Sequence, residues 1–322
     1  MAPSTASSGY AVAPAVSAGA RVRLLLALSR AAHALLDVAT PALGAILCLG
    51  GALPPLSVSL LGLLTAGAAY LSVYALNDLV DCAADREKMR WAGGGVEGDY
   101  LDAVGVRHPL AQGLLSVRAA ALWAGGWGLV AIVGAWRLNP VCAGIFLIGC
   151  ALEALYCRLL TVSWLRVLVS GVVKTLGGVA AAFAVDPQPP PGFLALFFLW
   201  VFCWEIGGQN VPADWVDLDG DAAFGARTIP VRFGAAGAAW LALTALALAT
   251  AGGALLLGGT AGTSSAPVVW TAAGAAAGLW FLLLPGARLL RQRSPAQAAA
   301  LFNRASSYPL AMLALVLLGR LL

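Results

Sequence analysis

The sequence predicts an all-α integral membrane protein with about nine transmembrane helices. Three observations predict it. Hydrophobic residues make up 61% of the 322 residues and charged residues only 11%, against about a quarter charged in an ordinary soluble domain. A soluble fold with so little charge could not cover its surface. Apolar runs of roughly 20 residues, the length that crosses a bilayer, recur along the whole chain. Finally, the basic residues fall almost entirely on one side of those runs, as the positive-inside rule requires of a membrane protein.

The runs lie near residues 32–52, 56–76, 118–136, 140–158, 164–185, 193–212, 235–257, 267–285 and 305–322. Residues 1–23 precede them as an expected disordered tail, rich in Ala, Ser, Pro and Gly and without charge before Arg21. Arg21 and Arg23 introduce the first span and no convincing cleavage site follows, so no cleaved signal is expected. Residues 24–31 read as an interfacial helix, and 24–322 as one membrane domain. With the N-terminus cytoplasmic, the outside segments hold only Arg137 and Arg320, and Lys174 lies within the fifth run. The remaining basic residues, from Arg21 to Arg304, all fall inside. The segments after the second and sixth runs are then cytoplasmic.

Composition also excludes some roles. No basic run is interleaved with aromatics, so no nucleic-acid partner is expected. The six cysteines form no CxxC pair and mostly sit in apolar runs, which reads as small buried side chains. Two histidines far apart do not make a zinc site.

The two cytoplasmic segments carry the acid. Asn77-Asp78-x-x-Asp81-x-x-x-Asp85 follows the second run, and Asp214-x-x-Asp217-x-x-x-Asp221 follows the sixth. On a helix this DxxDxxxD spacing places three carboxylates on one face. No equal set of cations lies beside them on the same stripe, so something else must neutralise them. Oxygen-only ligands suit Mg²⁺, which completes its shell with water and substrate phosphate. Two such stripes face to face would hold two or three ions around a diphosphate. Asp219, off the stripe, reads as solvent-facing.

These residues resemble a known family. NDLVDCAADR is similar to the first motif of the UbiA-type intramembrane prenyltransferases, DWVDLDGDAAFGARTIPVRFG to their second, and RHPLAQG at 107–113 to the basic stretch after the first, with His108 inserted. The resemblance implies a helical bundle around a central cavity, closed by a cytoplasmic cap made from the loops that bear the motifs. It also implies Mg²⁺-dependent use of an isoprenyl diphosphate. The family often places a lysine four residues after a tyrosine at the entry to the fifth span. Here Tyr156 is present but Leu160 stands at the later position, so Arg158 or Arg166 is the candidate replacement.

The candidate metal and catalytic set is Asp78, Asp81, Asp85, Asp214, Asp217 and Asp221. Asn77 either completes a metal shell, orients an aspartate or caps a helix. Arg86, one residue past Asp85, leads the candidates for the diphosphate, ahead of Arg107, Arg30 and Arg158. Lys174 lies where charge is expensive, and either faces the cavity or pairs with Glu153 or Glu205. Gly207, Gly208 and Pro212 loosen the helix before the second motif, which makes Gln209 and Asn210 candidates for the acceptor or the metal shell, with helix–helix hydrogen bonding as the alternative. Asp37, in the first run, faces the cavity or pairs internally. Two functions follow: transfer of an isoprenyl group to an aromatic or quinone-precursor acceptor, or cyclisation of the same diphosphate to a terpene. A transporter is a poorer fit, because the acids sit at span ends on one side.

Overall fold

The structure, a computed structural model, describes residues 17–91, 100–260 and 267–320. Among these residues all regular structure is helical, and nine helical segments are long and apolar enough to cross a membrane. The helices are α1 Ala18–Leu28, α2 Ala31–Asp37, α3 Ala39–Cys48, α4 Leu56–Trp91, α5 Val117–Leu138, α6 Pro140–Arg158 and α7 Arg166–Val185. They continue as α8 Pro191–Trp204, α9 Val211–Val216, α10 Leu218–Phe224, α11 Ile229–Thr260, α12 Pro267–Gly278, α13 Leu284–Gln292, α14 Pro295–Ser306 and α15 Tyr308–Leu318. π-helical turns at Glu205–Asn210 and Leu279–Leu283 join α8 to α9 and α12 to α13.

Local chemistry sets many of the starts. Ser116 accepts from the Ala119 N–H at the head of α5, and Asn139 from Val141 at the head of α6, where Pro140 needs no donor partner. Ser294 and Pro295 repeat the arrangement before α14. α10 stops at Gly225, whose φ of 79° favours a residue without Cβ.

Several expected boundaries move. Residues 1–16 of the expected tail lie outside the described residues, and its last part, from Ala18, is already the helix α1. The first span is two helices meeting at Val38, and it ends at Cys48. The ninth begins at Pro295, ten residues before its apolar run, because the polar first turns of α14 are still helical. The largest change concerns the first motif. It does not sit in a loop, because α4 continues for 36 residues, through the motif to Trp91, about 54 Å at 1.5 Å per residue. Charge ends the apolar run there without ending the helix.

The bundle encloses a cavity of about 550 Å³. α4 is its longest wall, with Val58, Gly62, Ala66, Tyr70, Tyr74, Asp78, Asp81, Asp85 and Lys88 all facing in, one helical stripe at three- and four-residue spacing. Opposite stand α7 and the π turn before α9. α3 reaches α7 through paired glycines: a Cβ on Gly44 would run into the Gly178 carbonyl, and one on Gly178 into the Phe197 ring. The apolar core lies beyond, where Trp200, Trp204, Trp215 and Tyr308 are almost wholly buried among α8, α9, α11 and α15.

Candidate active site

Asn77, Asp78, Asp81 and Asp85 line one end of the cavity from the inner face of α4. The second row reaches the same end differently. It is not one helical stripe: α9 stops at Val216, Asp217 stands at the junction with φ −93° and ψ 8°, and α10 resumes at Leu218. Across this break Asp214, Asp217 and Asp221 all line the cavity, whereas Asp219 is exposed. Lys88 joins the rows. Its Nζ is 3.4 Å from Asp85 Oδ1 and 3.4 Å from Asp221 Oδ1.

Cations from other elements converge here: Arg30, Arg107 and Arg166, all candidates from the sequence, and His108 beside them. Arg30 donates through Nη2 to Asn77 Oδ1 at 3.3 Å, lies 3.5 Å from Asp78, and donates through Nη1 to Asp102 Oδ2 at 3.2 Å. Arg107 donates to Asp217 Oδ2 at 2.7 Å. His108 takes a left-handed φ of 50°, which sets its Nδ1 3.0 Å from Asp85 and 3.7 Å from Asp78. Arg166 donates to Asp214 Oδ1 at 3.1 Å and lies 3.9 Å over the Tyr156 ring, a cation–π contact.

Charges outside the spans respond to these neighbours. Burial works against a charged His108 ring, but the Asp78 and Asp85 carboxylates outweigh it and push its pKa up to about 9. Burial would raise Asp102, yet His33 and Arg30 hold it well below the usual carboxylate range. Asp221 goes the other way: burial raises it against the pull of Lys88.

Two expected contacts fail. Arg86 is exposed and turns from the cavity, donating to the carbonyls of Ala111 at 3.2 Å and Leu110 at 3.4 Å. One residue past Asp85 is about 100° around a helix, too far to share its face. Arg158 is exposed at the end of α6 and does not line the cavity. Arg166 instead occupies the place beside Tyr156, while Leu160 is a buried part of the cavity wall.

The polar candidates resolve individually. Asn77 caps nothing: it lies mid-helix and donates to Glu153 Oε1 at 2.7 Å and to Cys157 Sγ at 3.3 Å. Glu153 therefore does not pair with Lys174. Lys174 lines the cavity, donates to Asp37 Oδ2 at 2.6 Å and to the Tyr74 hydroxyl at 3.1 Å, and sits 4.0 Å from Glu205. Gln209 is mainly a helix–helix link, donating to Ser306 Oγ at 3.2 Å. Asn210 donates to the Tyr156 hydroxyl at 2.8 Å and keeps a buried Oδ1 without a hydrogen-bond partner. The loosened backbone expected here is the π turn Glu205–Asn210. Pro212 offers no N–H to close a regular turn, and Gly207 and Gly208 pack against Ala242 and Ala305, where a Cβ would come within 2.6 and 2.8 Å.

Two residues lie outside every sequence candidate for the site: Lys88, which reads from sequence only as an orientation charge, and Asp102, which no motif marks. His33 and Asp37, one helical turn apart in an apolar run, were the available signal. His33 Nδ1 is 2.6 Å from Asp102 Oδ1, and its Nε2 is 3.6 Å from Asp37.

The donor set fits a hard cation. Six aspartates surround one cavity end, and a buried oxygen of Asp214 has no hydrogen-bond partner, which is the oxygen chemistry Mg²⁺ takes. Ligand atoms of Asp78, Asp85 and His108 also lie within 4.8 Å of one another.

Known proteins share this fold. The chain is 32% identical over 167 residues to the digeranylgeranylglyceryl phosphate synthase of Methanopyrus kandleri, a match that covers 50% of this chain and 59% of that protein. Its fold is that of a ligand-free UbiA homologue from Aeropyrum pernix K1, with a TM-score of 0.70, 20% identity, and 90% of this chain and 98% of that one covered. It is also that of a UbiA homologue from Archaeoglobus fulgidus bound to DMAPP and Mg²⁺, with a TM-score of 0.63, 19% identity, and 91% and 98% covered. With the model of the UbiA prenyltransferase family matching residues 38–312, the chain belongs to that family.

Proposed function

We propose that the protein transfers an isoprenyl group from an isoprenyl diphosphate to a second substrate within the membrane, with Mg²⁺ held by Asp78, Asp81, Asp85, Asp214, Asp217 and Asp221. One observation carries the reading: Lys88 touches both aspartate rows at 3.4 Å, so the rows close on one space. The Archaeoglobus fulgidus homologue, solved with DMAPP and Mg²⁺ and also with GPP and Mg²⁺, supports the donor and the metal.

An allylic C–O bond breaks when the leaving diphosphate is neutralised. Mg²⁺ when bound supplies part of that charge. The chain supplies the rest. Arg30, Lys88, Arg107, His108 and Arg166 stand within 2.7–3.7 Å of Asp78, Asp85, Asp214, Asp217 and Asp221 across the two rows, preorganised to reach the same anion. Arg166 is fixed by Tyr156 beneath it and Asp214 beside it. The apolar stripe of α4 from Ala66 to Val58 gives the isoprenyl tail a dry path.

The acceptor expected from the resemblance is aromatic or a quinone precursor. A glyceryl phosphate acceptor is a second reading, favoured by the name of the Methanopyrus kandleri relative. In both, the N-terminus and the aspartate rows face the cytoplasm, supported by the one-sided basic residues. The test is product mass spectrometry on purified protein with geranyl, farnesyl and geranylgeranyl diphosphates, Mg²⁺ and para-hydroxybenzoate or an alkylglyceryl phosphate. The expected result is an isoprenylated acceptor that requires Mg²⁺ and disappears in Asp78→Ala and Asp217→Ala. A cyclic hydrocarbon formed from diphosphate alone would mark a cyclase, and full activity in either mutant would refute the site.

A further inference from the structure

The charged cluster around Lys174 lies apart from the aspartate rows. On α4, Tyr74 and Tyr70 stand one and two turns from Asp78, about 6 and 12 Å along the axis, and both line the cavity. Lys174 of α7 reaches this level. Its charge is already answered: Asp37 is 2.6 Å away, Tyr74 accepts at 3.1 Å, and the rings of Tyr70, Tyr74 and Trp204 surround it at 5.5–5.8 Å. Glu205 is the carboxylate least engaged: its Oε2 lies 4.0 Å from Lys174 Nζ, farther than a hydrogen bond reaches. Ser170 donates to its Oε1 at 2.7 Å, and its Oε2, buried and on the cavity wall, has no hydrogen-bond partner. The Tyr70 hydroxyl is likewise buried without a partner.

An isoprenyl tail gains nothing from such a wall, and ionisable groups at this depth are costly enough to point to a function. The free atoms fit a hydroxyl group, with a carboxylate oxygen to receive its hydrogen and a phenol to orient its oxygen. The π turn holds Glu205 in place, since π turns recur at functional sites and this one is locked by Gly207 and Gly208 against α11 and α14.

Building on the transfer reaction proposed above, we infer that Glu205 is the base for a hydroxyl-bearing acceptor. The allylic C–O bond breaks and its electron pair leaves on the diphosphate. The acceptor O–H bond breaks, and its proton passes to Oε2 of Glu205. The electron pair so released forms the new bond, at oxygen for an alcohol or water. For a phenol it forms at a conjugated ring carbon, whose hydrogen then moves to the oxygen.

The test uses the full chain in nanodiscs with geranylgeranyl diphosphate and Mg²⁺, and with para-hydroxybenzoate, an alkylglyceryl phosphate or water alone as acceptor. Glu205→Gln keeps the side-chain shape. It is expected to lower kcat for the active probe about 100-fold or more, the usual worth of a positioned base, with acceptor KM moving far less. Glu205→Ala should regain rate with added formate, which replacing a purely structural group would not produce. If Glu205→Gln fails to fold, Ser170→Ala, which frees the carboxylate from its hydrogen bond, is expected to lower kcat about 10-fold in the same direction. A folded Glu205→Gln within about threefold of wild-type kcat overturns the inference. Mg²⁺-dependent binding of the unreactive geranylgeranyl S-thiolodiphosphate to wild-type protein is measured separately. Its absence would sink the transferase reading itself.

Discussion

Replacing Lys174 by Met probes how the cavity tolerates charge between its two ends. Asp37 is 1% exposed and Lys174 only 10%. At their 2.6 Å separation, attraction at an effective dielectric near 20 is about 6 kcal/mol, most of it offset by the cost of burying both ions. The single change removes the attraction and leaves Asp37 buried with only the Tyr74 hydroxyl and His33 nearby. Stranding one member of a buried pair costs about 3–5 kcal/mol. Asp37→Asn in the same chain removes the stranded charge, and the double mutant is expected to return to within about 1 kcal/mol of wild type. Unfolding in mixed micelles, titrated with dodecyl sulfate and followed by tryptophan fluorescence, measures all four corners of the cycle. A double mutant as unstable as Lys174→Met, or a coupling below about 0.5 kcal/mol, would refute the view that these two charges are held as a unit.

Three further outcomes are expected. Arg166→Ala should lower transfer about 100-fold, because it strips a preorganised cation from the leaving group, whereas exposed Arg158→Ala should leave kcat/KM unchanged; steady-state kinetics compare them. Gly44→Ala drives a Cβ into the Gly178 backbone and should cost about 1–3 kcal/mol by overpacking, read by the same unfolding titration, while Gly62→Ala, with open space at its Cβ, should be nearly silent. Asp102 has its folded pKa depressed beside His33 and Arg30, so its stabilisation is present above the unfolded carboxylate value of about 3.9 and is lost as pH falls toward the folded one. The stability gap between wild type and Asp102→Asn should therefore be full at neutral pH and shrink below about pH 4.

The sequence was most legible where one periodicity ran long. Nine apolar runs and two aspartate spacings are repeated signals, and the helices and both rows stand where those signals lie. The boundaries were less legible because hydropathy marks the apolar interior of a helix and not its backbone. α4 runs on to Trp91 and α14 starts at Pro295 through polar residues that a window of apolar character ignores. Arg86 points away from the rows because adjacency along the chain means divergence around a helix. The second row hid its break, since nothing in Asp214-Trp-Val-Asp217 shows that Asp217 leaves helical geometry. Long-range partners were least legible: Arg30 meets Asp102, and Lys174 meets Asp37 across 137 positions, pairings that only packing decides. What the sequence did offer was the oddity of ionisable residues in apolar runs, and every one of Asp37, Lys174 and Glu205 proved to sit in a single cluster.

The two rows differ in their mechanical footing. Asp78, Asp81 and Asp85 ride on an unbroken rod anchored through the full thickness of the bundle, while Asp217 sits at a joint between two helices of six and seven residues. If the gap between the rows widened, the give would therefore lie on the jointed side, opposite an anvil that stays fixed. Stiffening that joint would act on one row alone and leave the anvil unaltered.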